Sequence, residues 1–375
     1  MPAVERVAVV LAAGKGTRMR SRLPKVLHRA AGRPLLAWVL DAARSAGCRR
    51  ILAVVGHGAE EVRAEIGGDD IAWVVQAEQR GTGHALAQVA DRIGGAARLL
   101  VLSGDVPLVS AATLERLLDA AAAGWGAMAV ADLPRPGGLG RVVARADAAV
   151  SGDPIGGERL ERIVEAADAA PAELALRTVN AGLYALPAPE IFSYLADLAP
   201  ANAQQELYLT TALTNAAAAG RRIALVRLAD PREAQGVNDR RELAAVHRWL
   251  LDRRLDELMA SGVTVLEPAR TVVEATACVG ADTVLHPGVS LLGRTRVGAG
   301  CELQQGVWVR DGRIGDGVTI GPYGVIDGAE VGSGCQLGAF ARLLAPASPL
   351  LCAARVGSSV EKDAGTAADP GPVKP

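Results

Sequence analysis

In the last third of the chain one step keeps returning, an aliphatic residue followed by glycine: Val279-Gly280, Val297-Gly298, Ile314-Gly315, Ile320-Gly321, Val331-Gly332 and Leu337-Gly338. Neighbouring pairs such as Ile314-Gly315 and Ile320-Gly321 stand six residues apart. Few folds accept that spacing. It is the hexapeptide repeat of a parallel β-helix, in which the aliphatic side chain points inward and the small residue after it turns the corner. Cys301 and Cys335 fall at small inward positions and read as core. The repeat spans 263–344. Beyond Leu344 it decays into Ala345-Pro346-Ala347-Ser348-Pro349, and Ala364 to Pro375, rich in Ala, Gly, Pro and Asp, has no core-forming pattern and reads as a disordered tail.

The first two thirds obey a different period. A chain of 375 residues is long for one core, so a second domain is expected ahead of the repeat. Short apolar runs alternate there with helical patterns. Ile51 to Val55, Ala72 to Val75, Arg98 to Leu102 and Gly126 to Ala131 read as strands; Pro34 to Gly47, Gly83 to Ile93 and a Ser110-capped run to Ala123 read as helices. Such alternation predicts an α/β domain with a mostly parallel sheet covered on both faces. Between Gly137 and Tyr184 the pattern turns to short strands and polar loops, the place for a substrate-side lobe. From Asp239 to Ala260, Leu243, Val246, Leu250, Leu255, Leu258 and Met259 recur at helical spacing, ended by Ser261-Gly262. The domain boundaries expected are therefore 1–238, a linker helix at 239–262, the repeat at 263–344 and a degenerate tail at 345–375.

Composition narrows the function. Half the residues are hydrophobic and the formal net charge is -1, which favours neither nucleic acid nor a membrane surface. The first apolar run, Val7 to Ala13, is too short to cross a bilayer and has no basic leader. Five cysteines without a Cys-x-x-Cys pair predict free thiols in a reducing, cytoplasmic setting.

Chemistry concentrates where the first apolar run ends. Val9-Val10-Leu11-Ala12-Ala13 leads into Gly14-Lys15-Gly16-Thr17-Arg18-Met19, then Ser21, Pro24 and Lys25. A strand opening into a two-glycine turn exposes backbone N–H groups, and Arg18 and Lys25 add positive charge beside them, so the loop is suited to phosphate. It matches neither a P-loop, whose Gly-Lys closes the motif, nor a dinucleotide loop, which needs a third glycine where Met19 stands. At the ends of two other predicted strands lie Gln76 and Asp105, and ligands of open α/β sheets bind at those ends.

The full pattern Gly14-x-Gly16-Thr17-Arg18-Met19-x-Ser21-x-x-Pro24-Lys25 resembles the signature loop of the sugar-1-phosphate nucleotidyltransferases. Pro24-Lys25-Val26-Leu27-His28 and Gln76-Ala77-Glu78-Gln79-Arg80-Gly81-Thr82-Gly83-His84-Ala85 are similar to the N-acetylglucosamine-1-phosphate uridylyltransferase branch. With the repeat, the resemblance covers nearly the whole chain. It is to the bacterial bifunctional family that joins this uridylyltransferase to a glucosamine-1-phosphate acetyltransferase on a left-handed β-helix. The fold implied is a Rossmann-like nucleotidyltransferase domain followed by a short left-handed parallel β-helix.

What the resemblance implies can be carried over residue by residue. Gln76, Gly81 and Thr82 match residues that read the uracil edge, a task suited to an amide that offers donor and acceptor together, and Leu11, Ala13 and Gly14 match others lining the nucleotide pocket. Arg18 and Lys25 would hold the triphosphate and the sugar phosphate. Asp105, with Asn238 in Gly236-Val237-Asn238, would hold Mg²⁺, a hard cation that takes few protein ligands. Read locally, Asp105 is also a turn or cap residue and Asn238 a helix N-cap. Gly140, Glu165 and Asn180 would bind the sugar by hydrogen bonds. The substrates implied are UTP and N-acetylglucosamine-1-phosphate, and the assembly implied is a homotrimer through the β-helix.

The chain also departs from the family pattern. After Glu165 it has Ala166-Ala167-Asp168 where a charged pair ending in lysine is usual, Gln205 replaces a glycine and Thr211 an aspartate. Phe340-Ala341-Arg342-Leu343 runs into Leu344-Ala345 instead of a second arginine, Val356 to Lys362 is a faded copy of another coil, and the catalytic histidine segment of the acetyltransferase is not found. Uridylyl transfer without acetyl transfer is the expectation. Two alternatives stay open: a sugar-1-phosphate nucleotidyltransferase of other sugar or base specificity, and a non-catalytic sugar-nucleotide-binding or scaffold protein.

Overall fold

The computed structural model describes residues 4–146, 157–200, 202 and 204–344. The degenerate repeat and tail expected at 345–375 lie outside the described residues. The chain divides into two compact units between Leu250 and Leu251.

In the first unit the opening apolar run forms β1 (Glu5–Ala12), and a two-stranded ribbon follows, β2 (Arg29–Ala30) with β3 (Arg33–Pro34). The chain then alternates: α1 (Leu35–Ser45), β4 (Arg50–Val55), α2 (Ala59–Ile66), β5 (Ile71–Val75), α3 (Thr82–Ala87), β6 (Ala97–Ser103), α4 (Ala111–Ala122) and β7 (Gly126–Asp132). After it come β8 (Arg141–Ala146), β9 (Glu158–Val164), α5 (Pro171–Leu174), β10 (Thr178–Ala188), α6 (Glu190–Ala196), α7 (Leu209–Ala218) and β11 (Ile223–Arg227). The nine strands lie in the order β5-β4-β1-β6-β10-β7-β11-β9-β8. From β5 to β6 every pairing is parallel, as the βαβ alternation predicts. Beyond β6 the sheet is mixed. β10 runs antiparallel to both β6 and β7, and the β8–β9 hairpin extends the far edge.

Each face of the sheet has its own core, because successive residues of a strand point to opposite sides. Ala8, Val10, Ile51, Ala53, Leu100 and Leu102 pack on α1 and α4; Val7, Val9, Leu52, Val54, Leu99 and Val101 pack on α3, α6 and α7. Ser110 caps α4 as predicted, its Oγ accepting from Thr113 N at 3.2 Å. The helix expected over Gly83 to Ile93 is shorter. It ends at Ala87, where the Gln88 side chain donates back to the His84 carbonyl, and a 3-10 turn at Ala90–Arg92 follows.

The division between the units falls inside α8 (Arg240–Ala260). Among the described residues of the second unit every strand is two or three residues long, and three parallel sheets of such strands carry the repeat. Leu285, Leu303, Ile320 and Leu337 stack in register as one buried column, Val273, Leu291, Val309 and Ile326 as a second, and Val297, Ile314 and Val331 as a third. This is the parallel β-helix of the hexapeptide repeat. Cys301 is buried in its core, as the spacing predicted, with its thiol against the Gly315 carbonyl at 3.1 Å.

Candidate active site

Parallel register decides where the site forms. Leu11 of β1 lies beside Val54 of β4 and Ser103 of β6, so the loops leaving β1 and β6 emerge side by side. Together with the loop leaving β5 they enclose a pocket of about 470 Å³. Leu11, Ala13, Gly14, Gln76, Gly81 and Thr82 all line it, and so do Lys25 and Asp105.

Lys25 is placed by its own loop. Gly16 takes a left-handed turn (φ 60°), and a Cβ there would stand 2.6 Å from the Lys25 Cβ. Only glycine lets the lysine stem lie that close. The ammonium then forms an ion pair with Asp105 and donates to Asn238 Oδ1 at 3.3 Å. Asp105 and Asn238 are 80 and 213 residues from Lys25 in sequence. Asn238 is not the cap of α8. Asp239 fills that role, its Oδ1 accepting from the backbone N–H of Arg241 and Glu242 at 2.8 and 2.9 Å, which leaves the Asn238 amide to the site.

A carboxylate oxygen and an amide oxygen that reach one ammonium are hard donors suited to a divalent cation. Among the described residues no group of three or more His, Cys, Asp or Glu side chains gathers to hold a metal on protein ligands alone. A cation bound by Asp105 and Asn238 would therefore complete its shell with phosphate oxygen and water. The residues fit the group.

Arg18 stands apart from the pocket lining, although its charge acts on Asp239 at the start of α8. It sits exposed on a 3-10 turn, Thr17–Met19, and does not line the pocket. The turn itself is braced from α8. Arg240 donates to the Met19 carbonyl at 3.3 Å and lies 3.3 Å from Nδ1 of His28, and burial together with that guanidinium lowers the His28 pKa.

Gly140, Glu165 and Asn180 come together as a second cluster. Glu165 Oε2 would stand 3.2 Å from a Cβ at position 140, and Asn180 N donates to the Gly140 carbonyl at 2.9 Å. Asn180 lies at a register shift in β10, a bulge that re-aims its side chain. Its amide donates to the Tyr184 hydroxyl at 2.7 Å and accepts from Gly182 N at 3.0 Å. Burial raises the Glu165 pKa, Thr210 Oγ1 at 2.7 Å opposes the rise, and Asp168 adds to it.

Several lining residues escape sequence reasoning. Gln79 donates to the Ala13 carbonyl at 2.6 Å and so ties two loops of the pocket together. It lies inside the Gln76–Ala85 segment, but a bond to a carbonyl 66 residues away leaves no local signal. Lys15, Ser103 and Glu206 also line the pocket. Glu206 belongs to the 205–211 segment, whose departures from the family pattern hid it.

Residues 8–151 match the family model described as a MobA-like NTP transferase domain. The chain is 44% identical over 356 residues to the bifunctional protein GlmU of Alkalilimnicola ehrlichii, covering 95% of this chain and 74% of that protein. It is 45% identical over 361 residues to the bifunctional protein GlmU of Anaeromyxobacter sp., covering 94% of this chain and 71% of that one. Among solved structures, UDP-glucose pyrophosphorylase complexed with UDP-glucose superposes with a TM-score of 0.53 at 18% identity, over 67% of this chain and 100% of the other. That likeness is one of fold. Among the described residues no helix is long and apolar enough to cross a membrane.

Proposed function

The chain belongs to the family of the bifunctional GlmU proteins, and from that premise we propose that it transfers the uridylyl group of UTP to N-acetylglucosamine-1-phosphate. A phosphate oxygen of the sugar attacks the α-phosphorus in line, the bond from that phosphorus to the bridging oxygen breaks, and pyrophosphate leaves with UDP-N-acetylglucosamine. The reaction needs no protein nucleophile, so the residues position two anions and balance charge. One observation carries the reading: Lys25, Asp105 and Asn238 converge beside a pocket at the strand ends.

The roles we assign are those that the family resemblance implies. Gln76, Gly81 and Thr82 take the base, Leu11, Ala13 and Gly14 line the nucleotide, and Lys25 binds phosphate. Arg18 lies outside the pocket wall, and its contact with the outer phosphates rests on its match to the family's signature loop alone. Gly140, Glu165 and Asn180 hold the sugar hydroxyls and N-acetyl group. Asp105 and Asn238 hold the divalent cation, which we take to be Mg²⁺; when bound it supplies charge neutralisation on the phosphate oxygens. We assign the chemistry to 1–238, the link to the helix at 239–262 and a homotrimer contact to the β-helix at 263–344, in a cytoplasmic setting.

The test is pyrophosphate release with Mg²⁺, UTP and N-acetylglucosamine-1-phosphate, run beside dTTP and glucose-1-phosphate. Release should require UTP and the acetylated sugar, and Asp105→Ala should lower it by about a hundredfold or more. Release with another pair only would move the specificity. No release from folded protein with any pair would leave a binding or scaffold role.

A further inference from the structure

Gln76 is sealed at the end of β5, 3% exposed. Its Nε2 donates to the Gly81 carbonyl at 3.2 Å and lies 2.9 Å from Nδ1 of His84. A carbonyl oxygen can only accept, so the amide atom facing Gly81 has to be the nitrogen, and the backbone fixes which way the side chain is turned. The second N–H of that nitrogen is left for His84. Nδ1 of His84 must then carry the lone pair and Nε2 the proton.

The far side of the ring tests this assignment. Gln88 Nε2 stands 3.1 Å from His84 Nε2 and donates to the His84 carbonyl at 3.2 Å. An N–H on His84 Nε2 is better met by the oxygen of Gln88. Turning the Gln88 amide gives up its bond to the His84 carbonyl, but at a half-buried place at the exit of α3 where water can reach the freed groups, whereas turning Gln76 sets its oxygen against the Gly81 carbonyl in a buried site. An unmet buried group costs more than a half-exposed one, so the Gln76 end dictates the tautomer.

We propose that His84 is a positioning residue for base recognition. By accepting from Gln76 Nε2 it commits the amide's remaining donor and leaves Oε1 as the group Gln76 offers the pocket. The edge is then an acceptor only, not the donor-and-acceptor pair expected from an isolated glutamine. It selects a pyrimidine that presents a ring N–H there, as the imide of uracil or thymine does, and it opposes cytosine, whose ring nitrogen at that place is itself an acceptor. The proposal rests on the uridine-nucleotide reading and adds to it the residue that sets the sense of the hydrogen bond.

The experiment compares UTP with CTP, by equilibrium binding and by kcat/KM, in the wild-type protein, His84→Phe and His84→Asn. Phenylalanine keeps a ring of similar size and removes the acceptor; asparagine restores an oxygen close to the position of Nδ1. The UTP-over-CTP ratio should fall about tenfold to a hundredfold in His84→Phe, through UTP and with kcat little changed, and recover most of that loss in His84→Asn. A purely structural histidine would weaken both nucleotides alike, and an unchanged ratio overturns the proposal. A second measurement needs no variant: nitrogen chemical shifts of the His84 ring should report the Nε2–H tautomer, and an Nδ1–H tautomer overturns it. A wild-type protein that binds neither nucleotide would instead overturn the uridine reading itself, which keeps the two failures distinct.

Discussion

Gln205 adopts φ 55°, a left-handed conformation that a long side chain enters only at a cost of about 1–2 kcal/mol. The surrounding turn holds it there, with Asn202 Oδ1 accepting from Gln204 N at 3.2 Å and from Glu206 N at 3.0 Å. The sequence pattern marked this position as one where glycine is usual, and the backbone supplies the reason. Gln205→Gly should therefore raise the stability by about 1 kcal/mol, read as a rise in Tm, with the turn beside the pocket preserved. Glu165 makes the opposite bargain. Burial lifts its pKa above the ordinary 4.5, so the folded state binds its proton more tightly than the unfolded chain. Its contribution is fully present below 4.5 and is lost as pH rises through the lifted value, leaving a buried carboxylate that weakens the fold at neutral pH. Glu165→Gln should unfold at a higher temperature than wild type at about pH 8 and show no such gain at about pH 4. Loss of the charged acceptor should also raise KM for the sugar phosphate by about tenfold or more. An equal Tm difference at both pH values would remove the electrostatic account.

The elements differ in how much of them could be read in advance. The strand-to-loop break at Ala13-Gly14, the parallel strands β1, β4, β5 and β6, and the six-residue step were legible because each is a local period or its interruption. The direction of β10 was not. A buried apolar strand reads alike in either direction, and only its partners β6 and β7, whose residues lie far off in sequence, fix it as antiparallel. The bulge at Asn180 was hidden for the same reason, being a mismatch between two strands. Of the site, residue types carrying charge or an amide could be named from motif context, but their partners could not. Thr210 meets Glu165 across 45 residues, and the freeing of Asn238 depended on Asp239 taking the cap. Arg18 shows the reverse limit: its motif was plain, yet the 3-10 turn leaves it outside the pocket wall.

At the scale of the molecule, the two units contain separate hydrophobic cores, and stability should divide between them. Leu100 and Leu303 are both fully buried, one in the sheet and one in the β-helix. Truncating either to alanine should cost about 2–5 kcal/mol, but in different transitions. Leu303→Ala should lower the melting of the β-helix while leaving pyrophosphate release at 25 °C unchanged; Leu100→Ala should lower the transition in which that release is lost. Calorimetry run alongside an activity assay separates the cases, and one shared transition that moves in both variants would show a single cooperative unit. Separate cores have a consequence for descent as well as for melting. Where the two transitions prove separate, a substitution absorbed in one core leaves the other untouched, and the repeat is then free to lengthen, shorten or fade while the pocket keeps its walls.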